Sequence, residues 1–160
     1  MQRSITGYHC DDLGHWVAEL DCGHDQHVRH DPPWQLRPWV VEEAGRNAHL
    51  GTPLPCSLCV RRELPTGAVE RRVTALFDEH SIPAGLRSRH TTKSGVWAVI
   101  EVVEGTLDCR VFTSAPVVLH LRAGDAEAMP PQLEHQVESV GPVRFQVRLL
   151  SGRINPRPAD

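Results

Sequence analysis

A group of cysteines and histidines near the amino terminus constrains the fold more than any other feature of the sequence. One cysteine and three histidines fall within residues 22–30, and a CxxC pair, Cys56 and Cys59, follows later in the chain. A structural zinc ion takes four ligands on a tetrahedron, often as two pairs on two tight turns, and it prefers thiolate sulfur and imidazole nitrogen. The spacing therefore predicts a metal ion, zinc, that holds two distant segments of the amino-terminal half together.

The four predicted ligands divide between these two segments. Cys56 and Cys59 form one pair, and Cys22 forms the other pair with a nearby histidine. His24 lies in the same turn as Cys22, and His27 is the alternative because it faces back across that turn. Three thiolates and one Zn²⁺ leave one negative charge, which suits a closed structural site without catalysis. The competing interpretation is that the cysteines are small buried apolar residues and the histidines face solvent.

The composition excludes several classes of protein. The 160 residues are 40% hydrophobic and 23% charged, which is typical of a globular protein with one domain or two small ones. The net charge is −3 and no basic patch stands out, so we expect no nucleic-acid partner. No apolar run has the length of a signal peptide or a membrane span, and the five cysteines lack disulfide-like spacing. We therefore expect a cytoplasmic protein with no membrane partner.

The sequence predicts short secondary-structure elements in the first half of the chain. Alternating hydrophobicity predicts two strands, 4–8 and 14–20, and the prolines Pro32 and Pro33 must then leave the sheet because they cannot donate to a ladder. A helix is predicted over 40–50, with acidic residues in its early turns and a glycine after its end. In so small a module three large aromatic side chains are expected to form the core: Trp16, Trp34 and Trp39.

The second half is a succession of short β-strands. Runs rich in β-branched residues alternate with polar residues, and glycine-containing turns separate them. Six or seven strands at this spacing indicate a sandwich or a barrel. The clearest predicted strands are 96–103, 106–112, 117–121, 135–139 and 143–149.

A polar segment with proline and glycine, 61–67, marks the predicted domain boundary. We assign residues 1–62 to the zinc-binding module, 63–70 to a linker, 71–152 to the β-rich domain and 153–160 to a tail.

The first segment resembles a known domain family. The run CGHDQHVRHDPPWQLRPWV, followed by LGTPLPCSLC, is similar to a small bacterial family of unknown function with a CGHxxHVRHxPPW core and a later CxxC. The resemblance covers about residues 1–62. It implies a compact zinc-ribbon-like α+β module and no known activity.

The second segment resembles the cupin superfamily. The motifs are IPAGL at 82–86, RHTTKSGVW at 89–97, VEG at 103–105 and MPPQLEH at 129–135. They are similar to the cupin-like domain of TehB- and YeaR-type proteins, a group associated with tellurite resistance. The resemblance covers about residues 70–152. It implies a cupin-like double-stranded β-helix, or jelly-roll, barrel with a pocket lined by inward side chains, so the whole chain is expected to be mainly β.

The cupin motifs are incomplete in this sequence. Cupins build a metal site from an HxH pair and a glutamate in the first motif and from a histidine in the second. His90 and His135 match that pattern, whereas Thr92 stands in place of the second histidine of the pair. Two of the four ligands therefore remain, which argues against the mechanism of an iron dioxygenase.

The resemblance implies a ligand-binding pocket centred on four residues: His90, Lys93, Trp97 and His135. Lys93 would supply a positive charge near a bound anion. A second divalent metal is expected if Glu101 or Glu138 completes a site with the two histidines and water. The alternative is that the histidines are satisfied pocket residues and that Lys93 is solvated.

These observations predict a two-domain cytoplasmic protein. A structural zinc module is joined to a cupin-like barrel that binds a small, anionic ligand or a metal–oxyanion species, in a stress-related or tellurite-resistance role. One alternative is a metal-dependent cupin enzyme, such as an isomerase, hydrolase or dioxygenase, and the sequence leaves open whether the barrel is catalytic. Another is a protein-interaction adaptor. By analogy with cupins, the chain is also expected to form a homodimer.

Overall fold

The computed structural model describes residues 1–152, so the predicted tail 153–160 lies outside the described residues. The described chain is mainly β, as predicted, and forms two antiparallel sheets. In residues 1–152 no helix combines the length and the apolar character needed to cross a membrane.

The amino-terminal sheet has four strands in the order β3-β2-β1-β4. They are β1 (Gln2–Cys10), β2 (Trp16–Leu20), β3 (Asp25–His27) and β4 (Pro53–Pro55). Asp11 fixes the turn between the first two strands, because its Oδ1 accepts hydrogen bonds from the backbone of Leu13 at 2.9 Å and of His15 at 2.8 Å. The two strands predicted in this half are confirmed, with shifted ends.

The predicted helix over 40–50 is wrong in its length. A 3₁₀ turn at Pro38–Val40 precedes a helix α1 of six residues, Glu43–Ala48. The Arg46 side chain explains the interruption: its Nη1 donates to the carbonyls of Val40 at 2.8 Å and Val41 at 3.1 Å. Those carbonyls are satisfied without a continuous helix.

The second sheet has six strands. Its main order is β5-β10-β7-β8, with β6 paired to β10 and β9 paired to β7. The strands are β5 (Val69–Val73), β6 (Phe77–Asp78), β7 (Val96–Val111), β8 (Val117–Arg122), β9 (Ala126–Met129) and β10 (His135–Ser151). Two short helices, α2 (Ser57–Val60) and α3 (Ala84–Arg87), lie outside the sheets.

The strands β7 and β10 are longer than predicted. Each joins two predicted strands, and they pair along their whole length, from Val111 opposite His135 to Val96 opposite Ser151. The predicted turn at Gly105, with φ of 76°, bends the ladder instead of ending it, and β10 shifts register between Ser139 and Val143. Glycines and bulges of this kind curl a sheet, and the result is the curled sheet of a jelly-roll.

The two halves share part of their core. One cluster of buried residues lies within the curled sheet and includes Leu107, Val111 and Phe145. A second cluster joins the amino-terminal module to the start of β7 and the end of β10. Its fully or nearly fully buried members include Ile5, Leu20, Cys22, Val28, Trp97, Val99 and Leu150.

The prediction that three tryptophans form the amino-terminal core is wrong for Trp34, whose exposed fraction is 84%. Backbone hydrogen bonds between Asp31 and Gln35, both 2.8 Å, close a loop that carries Trp34 away from the sheets. Trp16 and Trp39 are partly buried and contact the second core cluster.

Candidate metal centre and ligand cavity

Three sulfur atoms and one imidazole nitrogen converge in the amino-terminal module. The ligand atoms of Cys22, His24, Cys56 and Cys59 all lie within 4.8 Å of one another, and all four residues are buried. The Nδ1 atom of His24 is 3.5 Å from the sulfur of Cys22, 3.4 Å from that of Cys56 and 3.6 Å from that of Cys59.

These distances fit the edges of a coordination tetrahedron. With Zn–S of about 2.3 Å and Zn–N of about 2.0 Å, tetrahedral angles place a nitrogen and a sulfur about 3.5 Å apart. The three measured N···S distances, 3.4–3.6 Å, scatter around that value. The cluster could therefore hold a metal ion with four protein ligands.

Local backbone structure positions the four ligands. Cys22 and His24 lie in the turn after β2, where Gly23 has a positive φ of 86° and its N–H donates to Leu20 O at 2.8 Å. Cys56 is the N-cap of α2, and its sulfur accepts a hydrogen bond from the Cys59 backbone at 3.4 Å. Each pair is therefore held by its own short turn.

The structure removes His27 from the ligand set. His27 lies on the edge strand β3, its side chain is half exposed, and its Nε2 contacts Asp11 Oδ2 at 2.9 Å. Strand alternation and the intervening turn direct His24, not His27, towards the sulfurs. Of the two histidines that the sequence left open as the fourth ligand, the geometry therefore favours His24.

The three buried thiols differ in acidity. A hydrogen bond with Cys22 lowers the pKa of the Cys59 thiol to about 4, and His24 and Arg3 act in the same direction. The same bond, together with burial, raises the pKa of Cys22, and burial raises the pKa of Cys56. A metal ion that binds here must therefore displace protons from buried thiols.

Trp97 contacts the cysteine cluster and not the cavity, which corrects its predicted role. Its Nε1 donates to the carbonyl of Cys22 at 2.8 Å, and its ring meets that of His24 edge-on with centroids 5.5 Å apart. The physical reason is strand alternation: its neighbours Val96 and Ala98 line the cavity, so Trp97 points the other way.

The cavity of the barrel has a volume of about 510 Å³. Its floor is apolar, and its polar lining residues are two histidines, two threonines, one lysine and one arginine. The lining consists of Arg72, Leu86, His90, Thr91, Thr92, Lys93, Val96, Ala98, Ile100, His135, Val137, Val147 and Leu149. None of these residues is acidic.

The two cavity histidines are adjacent, and the Nδ1 atom of each donates a hydrogen bond to a backbone carbonyl. Their ring centroids are 4.3 Å apart, and the two residues exchange backbone hydrogen bonds of 3.0 and 2.9 Å. His90 Nδ1 donates to Ser88 O at 2.9 Å, and His135 Nδ1 donates to Leu133 O at 2.8 Å. Both rings therefore keep Nε2 for a ligand. Burial lowers the pKa of His135, and the nearby His90 adds to that effect.

Neither predicted carboxylate reaches these histidines. Glu101 accepts hydrogen bonds from Gln146 Nε2 at 2.9 Å and Arg148 Nη1 at 2.7 Å, and these bonds lower its pKa. Glu138 is exposed and lines a separate depression of about 210 Å³. In the described part of the chain, the only group of three or more metal-ligating side chains is the cysteine cluster. The expected second metal site is therefore not formed by these residues.

Sequence reasoning missed two residues of the sites. Arg72, on β5, lines the cavity, and Arg3, on β1, lies 4% exposed beside Cys59. The sequence pattern could have indicated that Arg3 is buried, since Arg3 stands two residues before Ile5 and thus on the same face of a strand.

The curled sheet with its histidine-containing cavity is a jelly-roll-like fold, joined here to a module with a Cys/His cluster. Residues 72–147 match the family of the TehB-like domain. Residues 6–63 match the family described as a protein of unknown function (DUF3565). The two resemblances expected from the sequence motifs are confirmed.

Three solved structures are similar to part of this chain, and the first of them supports the fold. A protein from E. coli (strain K12) matches with a TM-score of 0.52 and 22% identity, and the match covers 57% of this chain and 97% of that chain. TehB from Haemophilus influenzae matches with a TM-score of 0.48 and 17% identity over 54% of this chain and 32% of that chain. A cupin-2 domain protein from Shewanella frigidimarina has a TM-score of 0.37 and 20% identity over 49% and 67%. A comparison with curated protein sequences found no match.

Proposed function

We propose that this protein binds a small organic anion in its barrel and carries a structural zinc ion in its amino-terminal module. The observation that supports the first part is the cavity of about 510 Å³, which has an apolar floor and basic side chains but no acidic lining residue. Ligand pockets commonly have volumes of about 300–1,000 Å³ and a few polar groups that orient the ligand.

The charge distribution favours an anion with an apolar part. Lys93 and Arg72 are exposed at the cavity, so they can attract an anion while remaining hydrated. Val137, Val147 and Leu149 form part of the floor and would cover a hydrocarbon group. A carboxylate with a short alkyl chain satisfies both regions.

His135 links binding of the anion to protonation. Its Nδ1 already donates to Leu133 O, so Nε2 can donate to a carboxylate oxygen only when the ring is protonated. Burial lowers the pKa of His135, which favours the neutral ring at pH 7. Anion binding at His135 should therefore take up a proton and should strengthen as the pH falls.

The zinc proposal rests on the donor set of the cluster. Three sulfurs and one nitrogen satisfy a tetrahedral ion and leave no position for a substrate, which is the arrangement of a structural site. The two pairs belong to separate turns of the chain, so the ion would join segments that are 32 residues apart in sequence, from His24 to Cys56.

Calorimetry with hexanoate tests the anion site. We expect binding by the parent protein and a loss of at least about tenfold in affinity for Lys93→Gln and His135→Gln, since the first removes a positive charge and the second removes the ring that takes up a proton. His120→Gln is the matched control, because His120 is an exposed histidine that pairs with Asp108 outside the cavity. Equal affinity of the parent and the two cavity variants would contradict the proposal.

Tellurite and phosphate form the second arm of the same experiment. A stress-related or tellurite-resistance role requires an oxyanion without an apolar part to bind more tightly than hexanoate. The apolar floor favours hexanoate. Tighter binding of tellurite, lost in Lys93→Gln, would replace the organic anion by an oxyanion as the ligand.

A protein-interaction adaptor is the second candidate, because the amino-terminal module exposes large apolar side chains. The exposed fractions are 84% for Trp34, 72% for Leu36 and 63% for Val41. A photo-crosslinker at position 36 should capture one defined partner in the parent and not in Trp34→Ser. Equal crosslinking by both would contradict this candidate.

A further inference from the structure

Arg3 is a buried arginine beside the cysteine cluster. It is 4% exposed, its Nε is buried without a hydrogen-bond partner in the described chain, and it lines one cavity together with Cys59. Its Nη2 donates to the Met1 sulfur at 2.6 Å and to the carbonyl of Pro131 at 2.7 Å. Neither of those two partners carries a negative charge.

A buried guanidinium requires a negative partner, because an isolated charge in the protein interior is strongly disfavoured. Cys59, which lines the same cavity as Arg3, belongs to the cysteine cluster, so the thiolates of that cluster can supply this negative charge. Three thiolates and a divalent ion carry a net charge of −1, and the guanidinium brings the total to zero. The positive guanidinium therefore neutralises the negative metal centre, and the metal centre neutralises the buried guanidinium.

Arg3 also joins the metal centre to the ligand cavity. Pro131 begins the loop that leads to the cavity histidine, and Leu133 in that loop accepts the hydrogen bond from His135 Nδ1. Gln132 in the same loop donates its backbone N–H to Thr92 O, and Thr92 lines the cavity. A displacement of the guanidinium would therefore displace this loop, and the loop contacts two cavity residues, His135 and Thr92.

We infer that Arg3 is the counter-charge of the metal centre and the positioning residue through which the centre holds the loop of His135. This inference rests on the proposed zinc site and is independent of the identity of the anion. It assigns to Arg3 two contacts that a lysine could not make together, because only the planar guanidinium presents several donors in fixed directions.

Zinc affinity tests the counter-charge, with competition against a chromophoric chelator as the measurement. We expect Arg3→Met to bind zinc about 10–100-fold more weakly than the parent, the range typical for outer partners of a metal. Arg3→Lys keeps the charge and should lose less. Arg110→Met removes one positive charge from an exposed position of β7 and is the matched control with unchanged affinity.

Unfolding in zinc and in excess chelator separates this role from a purely structural one. A structural hydrogen bond would affect both forms equally, whereas a counter-charge stabilises the zinc-bound form selectively. We expect Arg3→Met to lose stability mainly in zinc. Equal losses in both conditions, or zinc affinity within twofold of the parent, would overturn the counter-charge. A parent protein that binds no zinc would overturn the zinc site, and this inference with it.

Histidine NMR on the unmodified chain tests the link to the cavity without relying on a variant. Removal of zinc should shift the imidazole signals of His135 and His90, assigned with His135→Gln and His90→Gln, and should leave the exposed His120 unshifted. In Arg3→Lys the shift should be smaller, since the contact to Pro131 is weakened. Signals of His135 and His90 that do not respond to zinc in the parent would overturn the link.

Discussion

At the scale of single residues, the Cys/His cluster depends on one imidazole nitrogen. His24 Nδ1 is within 3.6 Å of all three sulfurs, whereas the Nε2 of His27 contacts Asp11. His24 is buried and edge-on to Trp97, so its ring is held in place by packing as well as by the turn. The fourth donor of the cluster is therefore one side chain, although three histidines lie within residues 22–30.

Replacement of His24 tests that assignment. We expect His24→Ala to lower zinc affinity by more than about 100-fold, the upper range for loss of an outer partner, because a direct ligand is lost. His24→Cys should retain zinc, since it restores a fourth donor. His27→Ala is the matched control and should bind like the parent. Weaker zinc binding by His27→Ala than by His24→Ala would contradict the assignment.

His135 makes the stability of the fold dependent on pH. Burial lowers its pKa in the folded state below the unfolded value of 6.5, so the folded protein prefers the neutral ring. Its contribution to stability is present above pH 6.5 and is lost as the pH falls from there through the folded pKa. Between pH 8 and 5.5 the unfolding free energy of the parent should fall more steeply than that of His135→Gln. Parallel curves would contradict this prediction, and urea titrations provide the measurement.

At the scale of elements, the curl of β7 and β10 creates the cavity. The two strands pair from end to end, and the bend lies where Gly105 meets the segment between Ser139 and Val143. A Cβ atom at Gly105 would lie 2.1 Å from the carbonyl oxygen of Pro142. The bend therefore requires a glycine for space as well as for its positive φ.

Substitution of this glycine tests the origin of the bend. Gly105→Ala should lower the unfolding free energy by more than Gly124→Ala, which has a φ of 93° but no atom within 4 Å of the added Cβ. The control should cost about 1–2 kcal/mol for backbone strain alone, and the clash with Pro142 adds to that cost at Gly105. Thermal unfolding provides the measurement. Equal losses of unfolding free energy in the two variants would show that the close contact with Pro142 does not add to the cost.

At the scale of the whole molecule, the two halves are joined through the cysteine cluster. Trp97 of β7 bonds to the carbonyl of Cys22, and Arg3 of β1 bonds to that of Pro131. The second core cluster contains residues from both halves. The predicted boundary at 63–70 stays a prediction, but the core of the amino-terminal module is not separate from the barrel.

Trp97→Phe tests this connection. The change removes the hydrogen bond to a buried carbonyl, and we expect a loss of about 1–3 kcal/mol in unfolding free energy. Because Trp97 joins both halves, probes in each half should report one shared transition at lower urea concentration. Trp34→Phe, at an exposed position, should stay within about 0.5 kcal/mol of the parent. A loss confined to one half would contradict the shared core.

The sequence predicted those parts of the protein that depend on local pattern. The CxxC and the CGH turn indicated the residues of the Cys/His cluster, since each pair is held within one turn. Alternation identified the strands, but Gly105 and Gly141 were interpreted as turns although the ladder continues past them. A glycine with positive φ suits a tight turn and a bent strand equally, so only pairing with a distant strand distinguishes them.

The sequence by itself determined the donor types and the mainly β fold, because these follow from residue identity and short-range periodicity. The two cavity histidines were indicated by the resemblance to the cupin motifs. The tertiary structure alone decided which histidine meets the sulfurs, which way Trp97 points and what Arg3 contacts. Those contacts join residues 32, 75 and 128 positions apart in the chain. Contacts at such separations depend on how the sheets curl and pack, and no local pattern specifies that geometry.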